Sequence, residues 1–278
     1  MSNDWVNWLD PVRTLAVAAS ERIMAIYATA FGVVAKDDHS PLTAADLASH
    51  HAIVAGLSGL TPDIPVLSEE SAAIPFAERT QWRRYWLVDP LDGTREFIKR
   101  NGEFTVNIAL IEQNEPIFGV VHAPVTGETW HARQGRNAYR RVGQVDTQIR
   151  TRSPATGALK VAASRSHRDA RTQAFLDAMG SIEEMSLGSS LKFCRIAEGA
   201  LDVYPRFGPT SEWDTAAAQC VLEAAGGALL APDGRAFRYN RRETLLNGDF
   251  VALGDMTLPW RTWLAQALGD EHGHARIA

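Results

Sequence analysis

Residues 86–94 read Trp-Leu-Val-Asp-Pro-Leu-Asp-Gly-Thr, an apolar run that passes straight into two carboxylates three positions apart. Tyr85–Val88 has the unbroken hydrophobicity of a strand covered on both faces, and the proline after Asp89 ends ladder donation, so the strand is expected to stop there. The chain must therefore fold around a buried strand whose tip carries Asp89 and Asp92. Two anions this close repel each other, and something has to offset that cost. A hard divalent cation does so, because Mg²⁺ takes a few carboxylates and completes its octahedron with water and substrate oxygens. Gly93 permits a tight turn, and the amides after it, at an expected helix N-terminus, are placed to face a phosphate.

Other acids stand at comparable positions. Glu69 and Glu70 lie in Ser68-Glu69-Glu70-Ser71, directly after the short strand Val66-Leu67. Asp214 falls in the first turn of an alanine-rich helix spanning 213–225, and Asp46 in the first turn of a helix that begins after Ser40-Pro41-Leu42-Thr43. Taken singly, each is an ordinary first-turn or capping acid. Their joint occurrence is what points to a shared site.

Around these acids the chain divides by texture. Asp10-Pro11 reads as an N-cap and first helical residue. Leu15, Ala18, Ala19, Ile23 and Ile26 then recur at helical spacing, with Arg22 the one polar interruption. A second helix is expected over 44–57. Residues 105–112 and 116–123 form a hairpin, and 129–132 with 138–142 a second one. This first half is α+β, two helices on an antiparallel sheet. The polar stretch 143–157 is the expected boundary, giving domains 1–150 and 151–278. Beyond it strands (159–163, 182–187, 201–204) alternate with helices (169–179, 190–198, 213–225), which is α/β texture. The residues from Gly269 onward are polar and aperiodic and read as a frayed tail.

Composition bounds the function. A net charge of −5 argues against sequence-blind binding of nucleic-acid polymers. No apolar run reaches the roughly 18 residues a membrane span requires, and the N-terminus has no secretory pattern, so a cytoplasmic protein is expected. Trp5 and Trp8 beside an amphipathic helix give a weaker reading of peripheral contact with the inner membrane. Cys194 and Cys220 have no zinc spacing and read as buried thiols.

The order T-x-x-D at 43–46, E-E-S at 69–71, W-x-V-D-P-L-D-G-T at 86–94 and W-D-T-A-A-A at 213–218 resembles the lithium-sensitive inositol monophosphatase superfamily, over residues 10–253. The finer wording is similar to its bisphosphate nucleotidase branch. It lies in S-P-L-T-A-A-D (40–46), D-G-T-R-E-F-I-K-R-N-G-E-F (92–104), A-S-R-S-H (163–167), G-S-S-L-K-F-C (188–194) and Y-P-R-F-G-P-T-S-E-W-D-T-A-A-A (204–218). The chain departs from the pattern at Ala218-Gln219-Cys220, where a Gly-His-Ala run is more usual, and those positions bear on packing before chemistry.

The resemblance implies a layered αβαβα sugar-phosphatase-like fold and Mg²⁺-dependent removal of the 3′-phosphate from adenosine 3′,5′-bisphosphate, or from its sulfated relative, by an activated water. It implies two or three Mg²⁺ ions. Glu69, Asp89 and the Leu91 carbonyl would hold one, with Asp89 bridging to a second bound by Asp92 and Asp214. Thr94, oriented by Asp46, would position the water, with Glu69 or Glu70 helping to take its proton. Gly93, Thr94, Ser164, His167, Lys192 and Arg206 would contact the small phosphorylated nucleotide, and Arg95, Lys99, Arg100 and Arg195 are further cations near the same motifs. Trp213 would either stack on the base or anchor its helix. An inositol or sugar monophosphatase is the neighbouring activity on this scaffold, and a nucleotide-binding regulator without turnover the non-enzymatic one. Monomer and homodimer both remain open.

Overall fold

The computed structural model describes residues 7–35, 41–164 and 169–268. Trp5, Ser40, His167, the side chain of Ser164 and the tail from Gly269 lie outside the described residues. The chain opens with helix α1 (Leu9–Tyr27), an antiparallel ribbon of β1 (Val33–Ala35) and β2 (Pro41–Thr43), and α2 (Ala44–Leu60). Next come β3 (Val66–Ser68), a single 3₁₀ turn at Glu69–Ser71, α3 (Phe76–Arg79), β4 (Arg84–Asp92) and the short α4 (Thr94–Ile98). A meander follows: β5 (Thr105–Glu112), β6 (Glu115–Ala123), β7 (Glu128–Arg133), β8 (Ala138–Val142) and β9 (Val145–Ile149). The rest is β10 (Leu159–Ser164), α5 (Ala170–Met179), β11 (Ile182–Leu187), α6 (Leu191–Ala197), β12 (Val203–Arg206), α7 (Glu212–Ala224), β13 (Ala228–Leu230), β14 (Phe250–Leu253) and α8 (Trp260–Leu268).

β3 to β9 make a seven-stranded sheet in sequence order, antiparallel except for the β3–β4 pair. The other sheet has the order β11-β10-β12-β14-β13, parallel across β11-β10-β12 and antiparallel beyond. Side-chain alternation along β4 explains the layering, since successive residues face opposite sides of a sheet. Trp86 and Val88 face Val12, Ala16, Ala19 and Ile23 of α1 and Ile53 and Leu57 of α2. Tyr85 and Leu87 face the opposite way, into a core shared with Phe193 and Cys194 of α6, Ala217 and Val221 of α7, and Ala162 and Ala252 of the second sheet. Phe175 and Leu176 of α5 and Trp260, Trp263 and Leu264 of α8 cover that sheet's outer face. The order is helix, sheet, helix, sheet, helix, the α/β layering expected.

Several local expectations are corrected. Helix α1 starts at Leu9 with Trp8 as N-cap and no side-chain capping bond, so Asp10 and Pro11 sit inside the first turn. First-turn amides lack intrahelical partners anyway, which is why proline is tolerated there. The buried stripe is Val12, Ala16, Ala19 and Ile23, and Arg22 lies on the exposed side. β4 does not stop at Asp89 but runs to Asp92, its register against β5 shifting between the two. A proline is accommodated where a bulge removes the demand for a ladder donor. The polar stretch 143–157, read from sequence as the boundary, carries structure of its own. It contains β9, an exposed edge strand, and Arg152 whose Nε donates to the buried Asp202 at 2.8 Å. The strand expected at 201–204 is displaced to β12, and β13, β14 and α8 follow the last element assigned from sequence.

Trp8 packs against Trp86 with ring centroids 5.9 Å apart and is partly buried against the core. Among the described residues no helix is long and apolar enough to cross a membrane.

The middle layer depends on one close approach. A Cβ on Gly119 of β6 would lie 2.2 Å from the Ala217 carbonyl oxygen and 3.0 Å from Cys220 Cβ. The glycine and the small residues Ala216–Ala218 therefore let α7 lie directly on the sheet, which brings its first turn to the tip of β4. Gly119→Ala should force the helix off the sheet, at the roughly 1–3 kcal/mol typical of overpacking. Denaturant unfolding checks this; an unchanged midpoint would contradict the close-packed seam.

Candidate active site

The site is built where β3 and β4 end and α7 begins. Asp89 is buried, and its Oδ1 accepts from the Leu91 amide at 3.0 Å, which folds the carboxylate back over the bulge. Gly93 follows at φ +94°, and a side chain there would sit 3.1 Å from the Glu103 carbonyl oxygen, so the turn into α4 requires glycine. Asp214 is the third residue of α7. Its Oδ2 accepts from the Ser211 amide at 2.8 Å, a capping box that fixes the first turn. Through these three local devices Asp89, Asp92 and Asp214 each offer an oxygen within 4.8 Å of the others. β3 pairs in parallel with β4, Ser68 beside Val88, so the next residue along, Glu69, comes out beside Asp89 and lines the same cavity. Glu70 occupies the same turn but does not line it.

Crowding shows in the ionisation of these groups. Burial, then Glu69, Asp92 and Asp214, push the Asp89 carboxyl well above the usual carboxylate range, and the Leu91 amide opposes them. Burial and Asp92 raise Asp214 to about 8. Such a group is stable as anions only with compensating positive charge. Among the described residues the donors are all oxygen, with no thiolate or imidazole, and Leu91, which carries a backbone carbonyl, lines the cavity. This set fits a hard divalent cation.

Asp46 stands behind the carboxylates, buried. Its Oδ2 accepts from the Thr43 amide at 2.7 Å and the Thr43 hydroxyl at 2.6 Å, capping α2. Its Oδ1 accepts from Thr94 Oγ1 at 3.0 Å, while the Leu91 carbonyl lies farther from that hydroxyl, at 3.3 Å. The Thr94 proton is therefore committed inward, and its lone pairs face the cavity that Thr94 lines.

Two residues escape the sequence reading. Asp92 Oδ2 accepts from the Ser190 amide at 2.7 Å, Ser190 Oγ at 2.6 Å and Asn107 Nδ2 at 3.2 Å. Asn107 is paired with Asp89 in the β5 register. A lone amide inside the apolar run Val106–Ile111 was the available signal. Ser190 hides within the G-S-S-L-K-F-C segment as the N-cap of α6.

The cavity measures about 260 Å³ and is also lined by Lys192 and Arg206, both buried, and by the exposed Arg95. Lys192 Nζ donates to the carbonyls of Leu187 (3.1 Å) and Ser189 (2.7 Å) and lies 5.1 Å from the Tyr204 ring centre. Burial lowers it to about 8, countered by Asp92 and, more weakly, by Glu96 and Glu103. Arg206 donates to the Pro209 carbonyl at 2.8 Å. Other cations singled out from the sequence are used elsewhere. Arg100 bonds the Tyr27 and Thr29 carbonyls, and Arg195 pairs with Glu198 and Glu128 over the Trp130 ring. Lys99 is exposed and outside the cavity lining, and Trp213 packs against the central core, consistent with a helix anchor.

The chain matches the inositol monophosphatase family over residues 4–269. The 3′(2′),5′-bisphosphate nucleotidase CysQ of Escherichia coli strain K12 is 50% identical over 244 residues, 87% of this chain and 98% of that one. The crystal structure of CysQ from Bacteroides thetaiotaomicron superposes with a TM-score of 0.76 at 40% identity, covering 86% of this chain and 94% of its own. The extragenic suppressor protein SuhB of Bartonella henselae shares the fold, with a TM-score of 0.78 at 23% identity over 94% of this chain and 98% of its own. With its acidic cluster at the β4 tip and nearly its whole length matched, the chain belongs to the inositol monophosphatase family.

Proposed function

We propose that this protein is a Mg²⁺-dependent 3′(2′),5′-bisphosphate nucleotidase that removes the 3′-phosphate of adenosine 3′,5′-bisphosphate to give AMP. One observation carries the reading: a single cavity is lined by the carboxylates Asp89, Asp92 and Asp214 together with the cations Lys192 and Arg206. The carboxylates, with the ions they would hold, suit the phosphate being cleaved. The cations suit a second, retained phosphate, which a monophosphate ester lacks. The likeness to the CysQ nucleotidases supports the same substrate class.

In this reading Glu69, Asp89, Asp92, Asp214 and the Leu91 carbonyl hold two or three Mg²⁺ ions. When bound, these ions lower the pKa of water and neutralise charge on the phosphate and on the departing ribose oxygen. The chain's own groups do the orienting. Because the Thr94 hydroxyl donates its hydrogen bond to Asp46, its oxygen accepts one from the attacking water and turns a water lone pair toward phosphorus. Glu69, with Glu70 in the same turn, receives the proton that the water gives up. Gly93 and Thr94 seat the scissile phosphate, and Lys192 and Arg206 hold the other one.

Asp214→Asn should lower turnover by more than the roughly 10–100-fold cost of losing an outer partner of a metal site, with near-wild-type thermal unfolding. Phosphate-release assays check it, and substantial surviving turnover would remove Asp214 from the ligand set. Side-by-side release from adenosine 3′,5′-bisphosphate and inositol 1-phosphate should favour the nucleotide; preference for the inositol ester would replace the substrate assignment with the neighbouring activity. Lys192 is cationic below about 8 and neutral above it, so its attraction for the retained phosphate is present below that pH and lost above it. KM for the bisphosphate should therefore rise above about pH 8, and Lys192→Met should flatten that limb. An unchanged KM profile in the variant would take Lys192 out of substrate binding.

A further inference from the structure

The hydrogen bonds around Asp92 are asymmetric. All three donors recorded against it, the Ser190 amide, Ser190 Oγ and Asn107 Nδ2, converge on Oδ2. The donors also support one another, because Asn107 Nδ2 donates to Ser190 Oγ at 2.8 Å. Ser190 Oγ lies 2.7 Å from the Asp214 carbonyl oxygen, so one hydroxyl proton is shared between the Asp92 carboxylate and the first turn of α7. The arrangement has a cost. Asn107 Oδ1 is buried with no hydrogen-bond partner among the described residues, and a buried acceptor left without a donor is destabilising. Turning the amide over would put that oxygen against the Asp92 carboxylate, so the orientation is held for the sake of Oδ2.

A carboxylate oxygen engaged by donors on this scale is a poor ligand, and Oδ1, against which none of these three donors is directed, is the oxygen left for an ion. We propose that Ser190 and Asn107 are positioning residues that confine Asp92 to one-oxygen ligation and thereby discriminate Mg²⁺ from Ca²⁺. The chemistry of the two ions differs in this respect. Mg²⁺ demands a near-ideal octahedron of single oxygens at short distance, whereas Ca²⁺ takes more ligands and readily uses both oxygens of a carboxylate. An Asp92 with a clamped Oδ2 satisfies the first ion and withholds an oxygen from the second. The shared Ser190 proton also ties Asp92 to the Asp214 backbone, limiting expansion of the pair around a larger ion.

The inference rests on the proposed ion site, and one experiment separates the two. Calorimetric titration with MgCl₂ and with CaCl₂, without substrate, is run on the wild-type protein, Ser190→Ala, Ser190→Thr and Asn107→Leu, each checked by thermal unfolding. The wild type should bind Mg²⁺ in preference to Ca²⁺. Ser190→Ala and Asn107→Leu should narrow that preference by about 10-fold, the scale of an outer-shell loss, and Ser190→Thr, which keeps the hydroxyl, should restore it. Asn107→Leu should retain its thermal transition because it also removes the orphaned acceptor. An unchanged Mg²⁺/Ca²⁺ ratio in both Ser190→Ala and Asn107→Leu overturns the clamp while leaving the ion site standing. A wild-type protein that binds no Mg²⁺ overturns both.

Discussion

Mutual repulsion among Asp89, Asp92 and Asp214 is the constraint around which the molecule is organised. Burying these acids beside one another, which raises Asp214 to about 8, costs folding free energy, and the surrounding structure has to supply it. That supply is the sandwich of apolar layers: β4 is covered by α1 and α2 on one face and by α6 and α7 on the other. A strand packed on both sides cannot withdraw its tip from the cluster. The charges therefore stay together even though each would be better solvated apart.

The central helices decide how the two sheets share this burden. α6 and α7 follow the second sheet's strands in sequence, yet their apolar faces fill the core beneath the first sheet. Asp214 on α7 and Ser190 at the head of α6 thus arrive at the β4 tip from the opposite face of the first sheet to Asp46 on α2. Cys194 and Cys220 are packing residues of this layer, buried and unpaired, with burial pushing both thiols up.

Much of this was legible in the residues. The strand at 85–88, the glycine turn and the first-turn acids at 46 and 214 are local signals, each written by burial, turn geometry or capping chemistry. Long-range pairings were less legible. The strand's continuation through Pro90 depends on a bulge against β5. β9 is polar and exposed because it is an edge strand, so alternation does not announce it. Ser190 and Asn107 look ordinary in sequence, because their meaning lies in a carboxylate oxygen supplied by a third segment. The cations show the same limit. Arg195 and Lys192 stand three residues apart on one helix, and only the fold directs one to Glu128 and the other to the cavity.

Asp46 divides its two oxygens between different tasks, one capping α2 and the other holding the Thr94 hydroxyl. Helix initiation and water orientation thereby draw on a single carboxylate. Fraying at the start of α2 cannot remain a local affair: whenever Thr43 lets go, the grip on Thr94 loosens with it. The β1–β2 ribbon, whose last residue is Thr43, is in this sense a mechanical input to the chemistry, although no atom of it needs to touch phosphorus.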